Sequence, residues 1–209
     1  PDFKKEINND ALNSLLRYYN VSAPISIYKG IYKLRPGSLI RIKNKSSKMT
    51  IDAYWSVNDN FIPEDEKEKS LNEYDILNRC ENLMLDAIEK QMISDVPLGA
   101  FLSGGIDSSL IVAMMQSKSS NPVKTFTIGF QEKGYNEAEY AKVVAGHLQT
   151  DHTELYVSSQ DALNVIPELP EIYDEPFADS SQIPTYLVSR LASKSVKVSL
   201  SGDGGDELF

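Results

Sequence analysis

Gly99-Ala100-Phe101-Leu102-Ser103-Gly104-Gly105-Ile106-Asp107-Ser108-Ser109 is the stretch whose reading decides the fold. Its first four residues form a short, uncharged run of the kind buried in a parallel strand, and Asp107-Ser108-Ser109 opens a helix predicted over 107–117. Between them, Ser103-Gly104-Gly105 is a glycine turn. A strand, a glycine loop and a helix in that order bring free backbone amides and the positive end of a helix to one point, where phosphate oxygens are attracted. The hydroxyls of Ser103, Ser108 and Ser109 can add donors.

Working outward, the same alternation continues. A helix over 71–93 precedes the loop; strand Val123 to Phe130, helix 136–148 and strand Thr153 to Val157 follow it. Helices near 160–173 and 182–194 come before a last strand, Val196 to Leu200. Asn136 followed by Glu139 has the spacing of a capping box. Helices alternating with short apolar runs predict an α/β domain built on a parallel sheet with flanking helices.

Upstream the texture changes. Ser22-Ala23-Pro24, Lys29-Gly30, Arg35-Pro36-Gly37 and Lys43-Asn44 are turn formers that separate strand candidates Ile25 to Tyr28, Ser38 to Ile42 and Met49 to Trp55, behind a helix over Asp10 to Tyr19. Between Val57 and Ser70 apolar content falls and the run Glu64 to Lys69 is all charged, which predicts an exposed linker between a β-rich segment, 1–60, and the α/β domain, 71–209.

The last strand ends in a second glycine loop, Ser201-Gly202-Asp203-Gly204-Gly205-Asp206-Glu207. In a parallel sheet both loops leave the carboxyl edge, where such folds bind ligands. Asp107 beside a phosphate site is repulsive unless a cation intervenes, so Asp107 and Asp206 converging on one Mg2+ is the expectation, since that ion prefers carboxylate and phosphate oxygens. The plainer reading of Asp107, a carboxylate stabilising its own helix dipole, can hold at the same time.

Composition sets bounds. The 209 residues carry 30 acidic against 21 basic side chains, a formal charge of −9. That charge disfavours nucleic acid, and the basic stretch Arg41, Lys43, Lys45 and Lys48 alternates like the solvent face of a hairpin. No apolar run approaches the ~20 residues of a membrane helix, so neither membrane nor nucleic acid is an expected partner and the cytoplasm is the expected compartment. Cys80 is the single cysteine; with Leu77, Met84 and Ile88 at helical spacing it reads as a buried apolar side chain. His147 reads as a surface residue, His152 as entering a strand where it orients a turn or meets a ligand, and Tyr135 and Tyr173 as packing or rim residues.

Neither loop has Walker or dinucleotide spacing. Ser-Gly-Gly-x-Asp-Ser instead resembles the pyrophosphate loop of ATP pyrophosphatases. Taken with Ser201-Gly-Asp-Gly-Gly-Asp-Glu-Leu-Phe209, and with Thr125 to Phe130, His152-Thr-Glu154 and Asp174-Glu-Pro-Phe177 in order between them, the chain resembles glutamine-dependent asparagine synthetases. Tyr19 to Gly37 and Tyr54-Trp55 resemble the end of that family's glutaminase domain.

The resemblance implies an adenine nucleotide alpha-hydrolase-like, Rossmann-like domain preceded by the tail of an N-terminal-nucleophile glutaminase domain. It implies that Ser103, Gly104, Gly105, Asp107 and Ser108 hold the pyrophosphate of ATP, that Asp107 and Asp206 bind Mg2+, that the adenine lies against backbone at Phe101, Ile128 and Gly202, and that Ser201 belongs to the ATP site. Asp203 stands where the family often has a catalytic Glu, and Ser180 where classical members have Arg. Aspartate, or a related carboxylate such as a sugar acid or lactam precursor, and ammonia derived from glutamine are the implied substrates, with a homodimer as the implied assembly. The chain begins at Pro1, and the expected N-terminal cysteine nucleophile is not in it, so it reads as an internal piece whose exposed apolar surface limits solubility alone.

Overall fold

The computed structural model describes residues 4–43, 48–60, 72–130 and 136–207. The expected linker at 61–70, Lys45 and Tyr135 lie outside these residues. The chain divides into two compact units: Pro1–Ser70 with Glu168–Asp179, and Leu71–Pro167 with Ser180–Phe209.

In the first unit, helix α1 (Asn9–Tyr18) starts on Asn8, whose side chain accepts the Asp10 amide, and ends at Tyr19 in a left-handed conformation. Ala11, Val21 and Ile27 form its small core. Strands β1 (Ser38–Lys43) and β2 (Lys48–Ala53) pair antiparallel, with Ile40 opposite Ile51. Ile25 to Tyr28, expected as a strand, makes only isolated bridges, Ile25 to Tyr32 and Ile7 to Tyr28. The turns around Pro24 and Gly30 leave too little length for a ladder.

The second unit contains the parallel sheet. Helix α2 (Glu73–Gln91) leads to strand β3 (Leu98–Phe101), helix α3 (Ile106–Lys118), strand β4 (Lys124–Phe130), helix α4 (Ala138–Leu148) and strand β5 (Asp151–Val157). Helix α5 (Ser159–Val165) and helix α7 (Gln182–Ala192) precede strand β6 (Val198–Leu200); the short helix α6 (Leu169–Ile172), between α5 and α7 in sequence, belongs to the first unit. The strand order is β5-β4-β3-β6, all parallel.

Alternation along the strands fills both faces. Ala100 and Leu102 point into a core with Ile88, Val112, Met115 and Ala141 from α2, α3 and α4. Phe101 and Phe126 face the opposite side, packing with Leu191, Ala192 and Val196. Phe126 is 1% exposed. Its replacement by alanine is expected to cost the second unit about 3–5 kcal/mol, the range for truncating a buried aromatic, read as a lowered denaturation midpoint by circular dichroism.

Three local expectations differ from the structure. The helix near 160–173 is broken into α5, a 3-10 turn over Ile166–Glu168, and α6. Pro167 and Pro170 lack the amides a continuous helix would use. The capping box at Asn136 does not form, because α4 starts on Glu137 and Asn136 instead donates to Glu139 at 3.4 Å; a capping box opens α5 through Ser158 and Asp161. Cys80 is half-buried with its thiol 3.9 Å from the Met84 sulfur, while Leu77 is 61% exposed, so the apolar stripe is buried only from Cys80 onward. Among the described residues no helix is long and apolar enough to cross a membrane.

Candidate active site

In a parallel sheet each strand hands the chain to the next element at its carboxyl edge, so loops from neighbouring strands collect there. β3 pairs with β6 in a register that ends at Ala100 opposite Leu200. The glycine loops that follow these residues therefore leave side by side.

Their approach is close. A Cβ on Gly202 would lie 2.7 Å from the Ser108 amide nitrogen and 3.0 Å from the Asp107 carbonyl carbon. A Cβ on Gly205 would lie 2.6 Å from Asp107 Cγ. Each loop is thus shaped by the other. The first loop is also braced internally: the Ser103 and Ser108 hydroxyls lie 2.8 Å apart, Ser108 Oγ accepts the Ser103 amide at 3.2 Å, and the Gly105 amide donates to Ser103 Oγ at 3.2 Å. Gly104 takes a φ of +83°, and Gly105 is the N-cap of α3 without a side-chain cap, which leaves first-turn amides for a ligand. The side-chain oxygen of Ser109, a third candidate hydroxyl, is buried without a hydrogen-bond partner.

A cavity of about 300 Å³ opens over this edge. Of the expected site residues, Phe101, Ser103, Asp107, Ser108, Ile128, Ser201, Gly202 and Asp203 line it. Gly104, Gly105 and Asp206 belong to the two loops but are not among the lining residues. The cavity has an apolar half, with Phe126 and Val188 beside Phe101 and Ile128, and a polar half at the two loops. Asp203 is fixed by a hydrogen bond from Ser201 Oγ at 2.9 Å.

Burial raises the proton affinity of the Asp107 carboxyl, and the neighbouring Asp206, within hydrogen-bonding reach, and then Glu207 raise it further. Two carboxylates that repel one another are stable once a cation or proton lies between them. Among the described lining residues none is basic, so phosphate charge finds no Lys or Arg partner in the cavity. Among the described residues no three His, Cys, Asp or Glu gather to hold a metal unaided. A pair of carboxylates that leaves positions for phosphate oxygens is the donor set magnesium accepts, and the residues present fit that ion.

Glu137, Pro184 and Thr185 also line the cavity, and no motif marked them. They sit at the starts of α4 and α7, and helices begin at the carboxyl edge; recognising that Glu137 opens the helix after β4 is the signal that could have found it.

The asparagine synthase family model matches residues 79–209. The chain belongs to the asparagine synthase family. It is 39% identical over 207 residues to a putative glutamine-hydrolysing asparagine synthetase 2 of Methanocaldococcus jannaschii, covering 99% of this chain and 39% of that protein. To the glutamine-hydrolysing asparagine synthetase 1 of Bacillus subtilis it is 35% identical over 205 residues, 98% of this chain and 31% of the relative. The chain thus spans roughly a third of the length of these family members. Among solved structures, an NH3-dependent NAD synthetase from Campylobacter jejuni aligns with a TM-score of 0.44 at 16% identity, over 63% of this chain and 58% of that one.

The histidines lie away from the cavity. His147 is exposed on α4. His152 stands at the amino end of β5, the edge opposite the loops, with Nδ1 2.8 Å from the Thr125 hydroxyl and Nε2 buried without a hydrogen-bond partner, 4.0 Å from Glu154 Oε1. Burial lowers its proton affinity; Glu154 partly opposes this and Lys142 adds to it. Its folded-state pKa lies below the unfolded value, so its contribution to stability is complete above about pH 6.5 and is lost as pH falls through the folded value. The unfolding midpoint of His152→Gln is expected to fall less than that of the wild type between about pH 6.5 and 5, measured by melting at stepped pH.

Proposed function

We propose that the chain is the adenylylating core of an ATP-dependent amide-forming ligase that makes asparagine from aspartate, with ammonia delivered from glutamine. The observation that carries this reading is the mutual packing of the two loops, which brings Asp107 against the Asp203 to Asp206 turn at the mouth of one cavity.

In this reading the adenine lies in the apolar half against Phe101, Ile128 and Gly202, beside Ser201. The amides of Gly104 and Gly105, the Ser103 and Ser108 hydroxyls and the start of α3 hold the pyrophosphate and receive the charge that develops on it as the carboxylate attacks the α phosphorus. Asp107 and Asp206 would hold magnesium. Bound there, the ion supplies charge neutralisation for the phosphates and the leaving pyrophosphate. Asp203, held by Ser201, is the acidic group closest in kind to a proton acceptor or substrate-orienting residue. Ammonia then displaces AMP from the acyl adenylate. Residues 1 to about 60 are the end of the domain that releases ammonia from glutamine.

A second reading keeps the chemistry and changes the acid. Asp203 and Ser180 depart from the residues the resemblance leads one to expect, which favours another carboxylate at the same site. Product analysis tests both. The protein containing this chain, given α-labelled ATP, magnesium, ammonium and candidate acids, is expected to release AMP and pyrophosphate with aspartate. AMP with another acid would select the second reading. ADP as product would overturn both.

A further inference from the structure

Among the described residues, three carboxylates line the cavity of the second unit: Asp107, Asp203 and Glu137. Asp107 faces Asp206, and Asp203 accepts the Ser201 hydroxyl. Glu137 is different. It is the N-cap residue of α4, yet its side chain makes no capping bond and has no ion pair or hydrogen bond among the described residues. A second polar group on the wall is also unclaimed: Thr127 is 4% exposed, lines the same cavity, and its hydroxyl has no protein partner among the described residues. A buried hydroxyl that finds no partner in the protein is set for one in a ligand.

The sheet puts these two residues on one side. Alternation along β4 sends Phe126 to the face packed with Leu191 and Ala192 of α7, and Thr127 and Gly129 to the other face. A Cβ on Gly129 would lie 2.8 Å from the Asn136 side-chain oxygen and 2.9 Å from Ala138 Cβ, so the start of α4, with Glu137 between those residues, covers the Thr127 face. The first glycine loop adjoins the same place. The Leu102 amide donates to the Phe126 carbonyl at 2.9 Å, which brings Ser103 out beside Thr127, and a Cβ on Gly104 would lie 2.6 Å from the Ala141 nitrogen, one turn along α4 from Glu137.

Thr127 thus stands between Ile128, where the base is read to lie, and Ser103, where the pyrophosphate loop begins. The part of a nucleotide that joins base to phosphates is its ribose. A carboxylate this close to phosphate calls for a cation or a neutral donor, and no basic residue lines the cavity. Two vicinal hydroxyls are such donors, and one ionised carboxylate can accept from both. We propose that Glu137, together with Thr127, binds the 2′- and 3′-hydroxyls of the ribose and makes the site select ribonucleotides over deoxyribonucleotides. This rests on the nucleotide reading above. The favourable placement of Glu137 at the positive end of α4 holds at the same time and is independent of the ligand.

Calorimetric titration of the protein that contains this chain, with magnesium present, tests the assignment by comparing ATP, 2′-deoxy-ATP and 3′-deoxy-ATP on wild type, Glu137→Gln and Glu137→Ala. Wild type is expected to bind ATP about tenfold more tightly than either deoxynucleotide, the scale of a lost hydrogen bond to a charged group. In Glu137→Ala that ratio is expected to fall to about twofold, with Glu137→Gln between the two. A general disturbance of α4 would weaken all three nucleotides alike and keep the ratio, so the ratio separates a ribose contact from a structural role. Wild type that bound ATP and the deoxynucleotides equally, or an alanine variant that kept the wild-type ratio, would overturn the proposal and leave the nucleotide reading standing. A kept ratio accompanied by a raised KM for the acid substrate would overturn it in favour of a contact from Glu137 to that substrate's ammonium group. Wild type that bound none of the three nucleotides would remove the nucleotide reading itself, and the proposal with it.

Discussion

Asp107→Ala is expected to lower AMP formation on the order of 10³-fold without lowering the melting temperature of the unmagnesiated protein. The loss follows from the carboxylate's position. It faces Asp206 across the junction of the two loops, where on the proposed reading these two carboxylates hold a cation against the phosphates. On that reading, without it the departing pyrophosphate keeps the loop amides and the Ser103 and Ser108 hydroxyls but loses one of the two carboxylates that hold the cation. The stability half of the expectation comes from the sign of the shift. Asp107 binds its proton more tightly folded than unfolded, so its favourable contribution is present at low pH and is lost as pH rises through the folded value. At neutral pH that contribution is no longer present, so removing the carboxylate forfeits none of it. Addition of magnesium is expected to raise the melting temperature of the wild type and to do so less for the variant. AMP formation that survived the substitution, or a clear destabilisation without metal, would contradict the assignment.

Gly202→Ala is expected to be nearly as damaging, at 10²-fold or more in kcat/KM for ATP on the order-of-magnitude scale of a displaced catalytic group. The added methyl would lie 2.7 Å from a backbone nitrogen, and that neighbour cannot swing aside as a flexible side chain would. The loops must separate, and with them Asp107 from Asp206. Gly204 supplies the internal control. Nothing lies within 4 Å of a Cβ there, although its φ of +89° makes alanine locally strained. Gly204→Ala should therefore cost some stability by raising the energy of the turn and leave KM for ATP much closer to wild type. Equal kinetic losses at both positions would show that turn strain, and not the contact between loops, controls the site.

Much of this architecture was legible before any coordinates. The periodicity around Gly99 to Ser109 and Val196 to Glu207 identified two strand–loop elements, the first of them running into a helix, and a parallel sheet then requires both loops at one edge. Element positions agree to within a few residues because hydrophobic period and glycine turns are properties of neighbouring residues. The errors have the opposite character. Asn136 has good capping spacing, yet it sits against Gly129, where a Cβ would meet its side-chain oxygen at 2.8 Å, and α4 starts one residue later. Leu77 has the right helical spacing and remains exposed, because what covers a helix face is decided by other elements.

The sequence by itself determined the fold class, the family and the chemical types at the two loops, since each is assembled from short motifs and periods that are legible among neighbouring residues and keep a fixed order along the chain. Only the tertiary structure decided that Gly202 and Gly205 are small because Asp107 and Ser108 lie against them, that Glu137, Pro184 and Thr185 complete the cavity wall, and that Glu175 reaches Ile27 and Lys33. Those contacts join residues far apart in the chain. Their formation depends on strand order and crossing helices, and a pattern of neighbours carries no record of which distant backbone will fill the space a glycine leaves.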